Sequence, residues 1–147
     1  MAKPRYVPAD FAVDAAAFGR RRVEWREAVG TLARGRLDAA KLQHHAALAV
    51  RAQLRMERRR QKDFAADIGF GPERLSRMLN GAAPAALDDV LVLLAGIDVP
   101  LARIVARALS PDEADLAGQR YLLGYLDWQR EQIAGRIARS APGRPST

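Results

Sequence analysis

Two short apolar-patterned runs, Lys62–Ile68 and Pro72–Leu79, stand so close together in this chain that few local geometries suit them. Gly69 stops the first run and permits the left-handed backbone that a tight turn between helices needs. Pro72 falls at the first turn of the second run and Gly81 lies just past its end, the usual asymmetry of a helix. Phe64, Ile68, Phe70, Leu75, Met78 and Leu79 supply large apolar side chains, and Ala65 is small where two helices must cross closely. The pattern predicts two short helices joined by a three- or four-residue turn, the geometry of a helix-turn-helix. Glu73, Arg74, Ser76 and Arg77 then face away from the core.

The rest of the chain also reads as helix, and no strand-like alternation or internal repeat occurs, so the predicted fold class is all-α. Residues 1–9 carry Pro4 and Pro8, which resist helix, and Lys3 and Arg5, which make a flexible basic arm. Residues 10–49 read as an N-terminal helical extension. Asp10 caps a first helix, Phe11 to Arg34, with Phe11, Phe18, Trp25 and Leu32 recurring every seven residues and Val29 beside them. Its opposite face carries Arg20, Arg21, Arg22 and Arg26. Gly35 ends that helix, Asp38 caps the next, and this second helix runs from about Ala39 to Arg58, where the cations of Arg58-Arg59-Arg60 suit the dipole. Leu87 to Leu94 is apolar on nearly all sides and predicted to be buried, and Pro100 to Leu109 follows it. Ser110-Pro111-Asp112-Glu113 starts a C-terminal helix over 110–139, with Gly124 a weak point, and 140–147 reads as a disordered tail.

Charge narrows the partner. The 147 residues carry a formal net charge of +7, with 15 Lys and Arg against 6 Asp and Glu in residues 1–62. Such a balance favours a polyanion. An exposed helix with arginines at its first and second turns, beside a cationic neighbour, suits the major groove of double-stranded DNA. There are no cysteines, which excludes disulfides, thiolate nucleophiles and Cys-based zinc sites. His44 and His45 are adjacent and point about 100° apart on a helix, so they do not chelate one metal from one face. No phosphate loop, nucleophile elbow or metal-spaced cluster occurs; the expectation is no catalysis, no cofactor and no metal. No apolar block reaches the length of a membrane span, and a cytoplasmic location is expected.

Gln61, Phe64-Ala65, Gly69-Phe70, Leu75-Ser76-Arg77-Met78 and Asn80-Gly81 together resemble the signature of the Xre family, the helix-turn-helix domains of the lambda repressor and Cro group. The spacing runs without a gap from Gln61 to Gly81. Leu87, Val90-Leu91, Leu93-Leu94, Ile97 and Val99-Pro100-Leu101 are similar to the family's fourth helix and its exit, so the resemblance covers about 50–105 and implies a domain at 50–109 between long helical arms. It implies that Gln61, with Lys62 next to it, opens the helix that touches a phosphate. It implies that Pro72, Glu73 and Arg74 begin the recognition helix, that Arg77 faces DNA one turn on, and that Asn80 holds the backbone. The chain departs from the family at Arg60, Gly71 and Ala86, which stand where Ser or Thr caps are usual; alanine there costs about 1 kcal/mol. Pro72 is mute at a base-reading position. Arg59 replaces a leucine that the family buries, which predicts a remodelled start of the domain. Glu73 has three open roles: acceptor from cytosine, cap of its own helix, or partner of Arg77 four residues on.

These readings predict a sequence-specific transcriptional regulator, a repressor, reading the major groove with Pro72–Leu79. The alternatives are an antitoxin-like protein that binds its operator and a toxin, and a DNA-binding module of low specificity. The C-terminal helix carries Leu116, Leu123, Leu126, Ile133 and Ile137 on one stripe and Tyr121, Tyr125 and Trp128 on another. Apolar surface on both arms predicts a homodimer, or a protein partner, docked through them.

Overall fold

The computed structural model describes residues 5–109 and the helix of residues 116–140, with side chains of that helix from 124 to 139. It is all-α. Two short 3-10 turns, Pro8–Phe11 and Ala15–Ala17, precede a long helix α1 (Thr31–Glu57). Four short helices follow: α2 (Gln61–Ile68), α3 (Pro72–Leu79), α4 (Leu87–Ala95) and α5 (Leu101–Ala108). A final helix, α6 (Leu116–Ser140), belongs to a second compact unit, 110–147; the first unit is 1–109. Among the described residues no helix is long and apolar enough to cross a membrane.

The four short helices lie where the Gly and Pro punctuation puts them. α2 ends at Gly69, whose φ is +78°, and Phe70 N–H donates back to Ala65 O at 2.8 Å. Three residues later Pro72 opens α3. One core unites these helices with α1: Ala46, Val50 and Leu54 of α1 pack with Phe64, Leu75, Met78, Leu79, Leu93, Leu94 and Ile104. α4 is less buried than its composition predicts. Leu87, Leu91 and Val92 are exposed, while Val90, Leu93 and Leu94 are buried, with Asp89 beside them. Ala86 offers no cap, but Asp89 supplies one function of it, accepting from Ala86 N–H at 3.2 Å.

The N-terminal segment corrects the sequence reading. No continuous helix runs over residues 11–34: apart from the short 3-10 turns, residues 11–30 are not helical, and α1 begins only at Thr31. The chain instead reverses on itself, Val13 N–H donating to Glu24 O at 2.9 Å and Arg26 N–H to Phe11 O at 2.8 Å. The seven-residue spacing of Phe18 and Trp25 brings both rings to a common partner rather than to a helical stripe. Phe18 and Trp25 each meet the His44 ring edge-on at 5.3 Å. Val29 and Leu32 are exposed and belong to no stripe. Nor does Gly35 end a helix or Asp38 cap one: both lie inside α1, which begins at Thr31 after Gly30. Residues 5–9 are not a free arm, because Pro8 and Ala9 are buried and Ala9 N–H donates to Gly81 O at 3.0 Å. Residues 10–49 are therefore no separate extension; they share a compact unit with 50–109. Lys3, Pro4 and the tail 141–147 lie outside the described residues.

His44 holds this segment down. Its Nδ1 accepts from Gly19 N–H at 2.8 Å, and the ring is 1% exposed. Burial, with a smaller push from His45, brings its pKa from 6.5 down to about 4. The folded state therefore prefers the neutral ring. That contribution is complete above pH 6.5 and drains away as pH falls toward 4, at a cost of roughly 3 kcal/mol. Urea unfolding across this window should show a steep loss of stability in the natural chain. His44→Gln should remove that part of the slope; an unchanged slope in the variant would assign the pH response elsewhere.

Candidate nucleic-acid interface

α3 is amphipathic because its apolar residues fall at 75, 78 and 79. Leu75, Met78 and Leu79 are buried, whereas Glu73, Arg74 and Arg77 are exposed and Ser76 is half-buried. The polar face is thus turned outward as the pattern predicts. Its members differ in freedom. The Arg74 guanidinium donates to Asp89 Oδ1 at 2.6 Å and stacks over the Phe70 ring at 4.7 Å, so it braces α3 against α4. Arg77 has no side-chain partner among the described residues. Glu73 makes no cap at the start of α3, and among the described residues it forms no ion pair with Arg77.

The two remaining α3-side residues are tied inward. Asn80 Oδ1 accepts from Arg51 Nη2 at 2.6 Å and from Arg20 Nη2 at 3.2 Å. Its Nδ2 donates to Ser76 Oγ at 3.4 Å. Asn80 is a hub that joins α1 and the N-terminal segment to the end of α3. Gln43 makes a second clasp on the same end. Its Nε2 donates to Met78 O at 2.7 Å and to Ala83 O at 2.9 Å, and its Oε1 accepts from Ala85 N–H at 2.9 Å. Both donors and the acceptor oxygen of that buried amide are directed at the backbone around the end of α3 and the loop to α4.

Gln61 stands at the first position of α2, half-buried, with Lys62 exposed beside it. It borders a cleft of about 340 Å³ lined by Arg20, Arg51, Leu54, Arg55, Arg58 and Arg59. Arg59 is neutralised locally: it pairs with Asp67 and Glu57 and lies over the Phe64 ring at 5.3 Å. Arg59 thus covers the Phe64 side of the core from outside. Arg55 and Arg58 have no side-chain partner among the described residues. Arg51 is the strained member, its pKa lowered by burial and then by the cations of Arg20 and Arg55.

Glu73 and Arg77 are thus exposed as the apolar spacing predicts, Lys62 is exposed and Gln61 half-buried. Ser76, Arg74 and Asn80 are engaged within the protein. Arg20, Arg51, Arg55 and Arg58 were not singled out from sequence. The i,i+4 arginine pair at 51 and 55 was the available signal, and Arg58 was read only as a complement to the helix dipole. Arg20 was read only as part of the basic face of a first helix that does not form, because its actual neighbours come from far along the chain. Comparison with family models, curated proteins and solved structures yields no match for this chain, so its functional reading rests on its own residues.

Proposed function

We propose that this chain is a sequence-specific, double-stranded DNA-binding transcriptional regulator, a repressor of the Xre type, reading the major groove with Pro72–Leu79. The observation that carries the reading is the exposed polar face of α3, with Glu73 and Arg77, together with an arginine surface at Arg20, Arg51, Arg55 and Arg58 that meets the end of α3 at Asn80 and forms no ion pair with a carboxylate among the described residues. Phosphate contacts from such a surface position a protein on DNA, and side chains of the inserted helix read base edges. Selection of bound sequences from random duplexes tests the proposal. A recovered consensus supports it; uniform recovery would leave a DNA-binding module of low specificity.

Arg77→Ala should lower affinity for the selected site by about 1–3 kcal/mol, roughly five- to 150-fold, with an unchanged melting temperature. Gln61→Ala should weaken selected and scrambled duplexes alike, as a backbone contact does. Titrations of both variants at two salt concentrations check this. Full affinity in Arg77→Ala would remove α3 as the reading helix. Arg74→Ala is the less informative variant, since it also breaks the contacts to Asp89 and Phe70.

The protein acts in this proposal as a homodimer joined through α6. Tyr125, Trp128, Ile133 and Ile137 are exposed on that helix, and Tyr125 stacks on Trp128 at 6.0 Å. The N-terminal aromatics are spent in the first unit's own core and add nothing to an interface. Leu116, Tyr121 and Leu123 lie outside the described side chains. Light scattering should give a dimer for the full chain and a monomer for a chain ending at Leu109. A monomeric full chain, or a dimer that survives the truncation, would refute the α6 assignment.

A further inference from the structure

We propose that the arginine cleft between α1 and the start of α2 is a seat for a phosphate group, gripped by Arg51 and Arg55 with Arg20 and Gln61 at its edge. The starting point is an imbalance at Arg51. A guanidinium has five N–H donors in a fixed fork. One of its nitrogens, Nη2, reaches Asn80, while Nε is buried with no hydrogen-bond partner. A buried donor left unpaired costs free energy, and charged donors cost more. The surroundings add to that cost instead of relieving it, because Arg20 and Arg55 set further positive charge against Arg51.

A phosphate meets both needs once the Arg51 guanidinium turns its Nε edge, buried in the structure, toward the cleft. Its oxygens accept from a guanidinium fork two at a time, and its charge relieves the repulsion among the cations. Carboxylates near the cleft do not fulfil that role: Glu57 and Asp67 are engaged with Arg59. The cleft, at about 340 Å³ with Leu54 in its lining, has room for a phosphodiester or a short polyphosphate. The phosphate has two sources, the backbone of a DNA duplex or a free polyphosphate. The first rests on the DNA reading above; the second is independent of it.

The probe is inorganic pyrophosphate, added to the full chain at constant ionic strength against a chloride control, with thermal melting as the readout. The expected result is a saturable rise in melting temperature whose midpoint moves at least tenfold higher in Arg55→Gln and in Arg51→Lys. Arg55 is exposed on a helix, so its variant keeps the fold if the Arg51 variant does not. Duplex DNA is then tested in parallel. Competition between pyrophosphate and duplex, or a salt slope of duplex binding reduced by about 1 in Arg55→Gln, identifies the DNA backbone as the source. Arginine-dependent pyrophosphate binding without competition identifies a free polyphosphate, and it stands even if the chain binds no DNA. A pyrophosphate response that is absent or identical in all three proteins, together with an unchanged salt slope, overturns the proposal.

Discussion

Gly19→Ala should destabilise the first unit by about 4 kcal/mol, a fall in melting temperature of roughly 15 °C or more. Two effects add. Gly19 has φ +68°, a conformation that strains a residue with a Cβ. A Cβ built there would also lie 2.1 Å from Leu79 O and 2.9 Å from the Ala47 Cβ. The carbonyl belongs to the last residue of α3 and the methyl to α1, so neither neighbour is a flexible side-chain end that yields cheaply. Gly19 N–H is besides the donor to His44, so displacement of the loop breaks that bond as well. Calorimetry on the variant checks the size of the loss. A shift of only a few degrees would mean that the N-terminal segment lifts off at little cost.

Gln43→Leu should cost about as much, near 4 kcal/mol, from a substitution that conserves volume and removes polarity. Three hydrogen bonds disappear, each worth about 1 kcal/mol net, and the partners they leave in a buried or half-buried place add to that. Met78 O keeps a bond from Gly81 N–H at 3.2 Å, so the unpaired groups are Ala83 O and Ala85 N–H. Gln43→Glu separates polarity from charge, since it keeps the acceptor for Ala85 and turns the two donations into repulsions. Chemical denaturation of both variants should rank natural chain above Gln43→Leu. Equal stability of Gln43→Leu would show that the loop around Ala83 and Ala85 rearranges to find other partners.

How much of this was legible in the sequence depended on how local the cause was. α2, α3, α4 and α5 are short and bounded by residues whose own chemistry sets the boundary, such as Gly69 and Pro72, and these ends were read within a residue or so. The outward face of α3 follows from its apolar spacing alone. Residues 11–34 were misread because a seven-residue repeat of aromatics is silent about what the rings touch. Phe18 and Trp25 satisfy it by meeting His44 from a loop, and the tight approach of Gly19 to Leu79 could not be read locally. The interface divides in the same way. The exposure of Glu73 and Arg77 was legible from the spacing of α3. The engagement of Asn80 by Arg20 and Arg51 was not, being made by residues 60 and 29 positions away.

The clasp of the N-terminal segment over the end of α3 also has a consequence in time. Ala9 donates to Gly81, and Arg20 to Asn80 across 60 residues. A ribosome adding roughly 5–20 residues per second needs about 3–12 s to cover that interval. Through it the N-terminal segment can meet only α1, where Phe18 and Trp25 find His44, and its contacts to the end of α3 stay unmade. Contacts of such long separation slow folding relative to a bundle built from neighbouring helices. The clasp over α3 is therefore completed late: the segment made first makes its last contacts only after the end of α3 has been added.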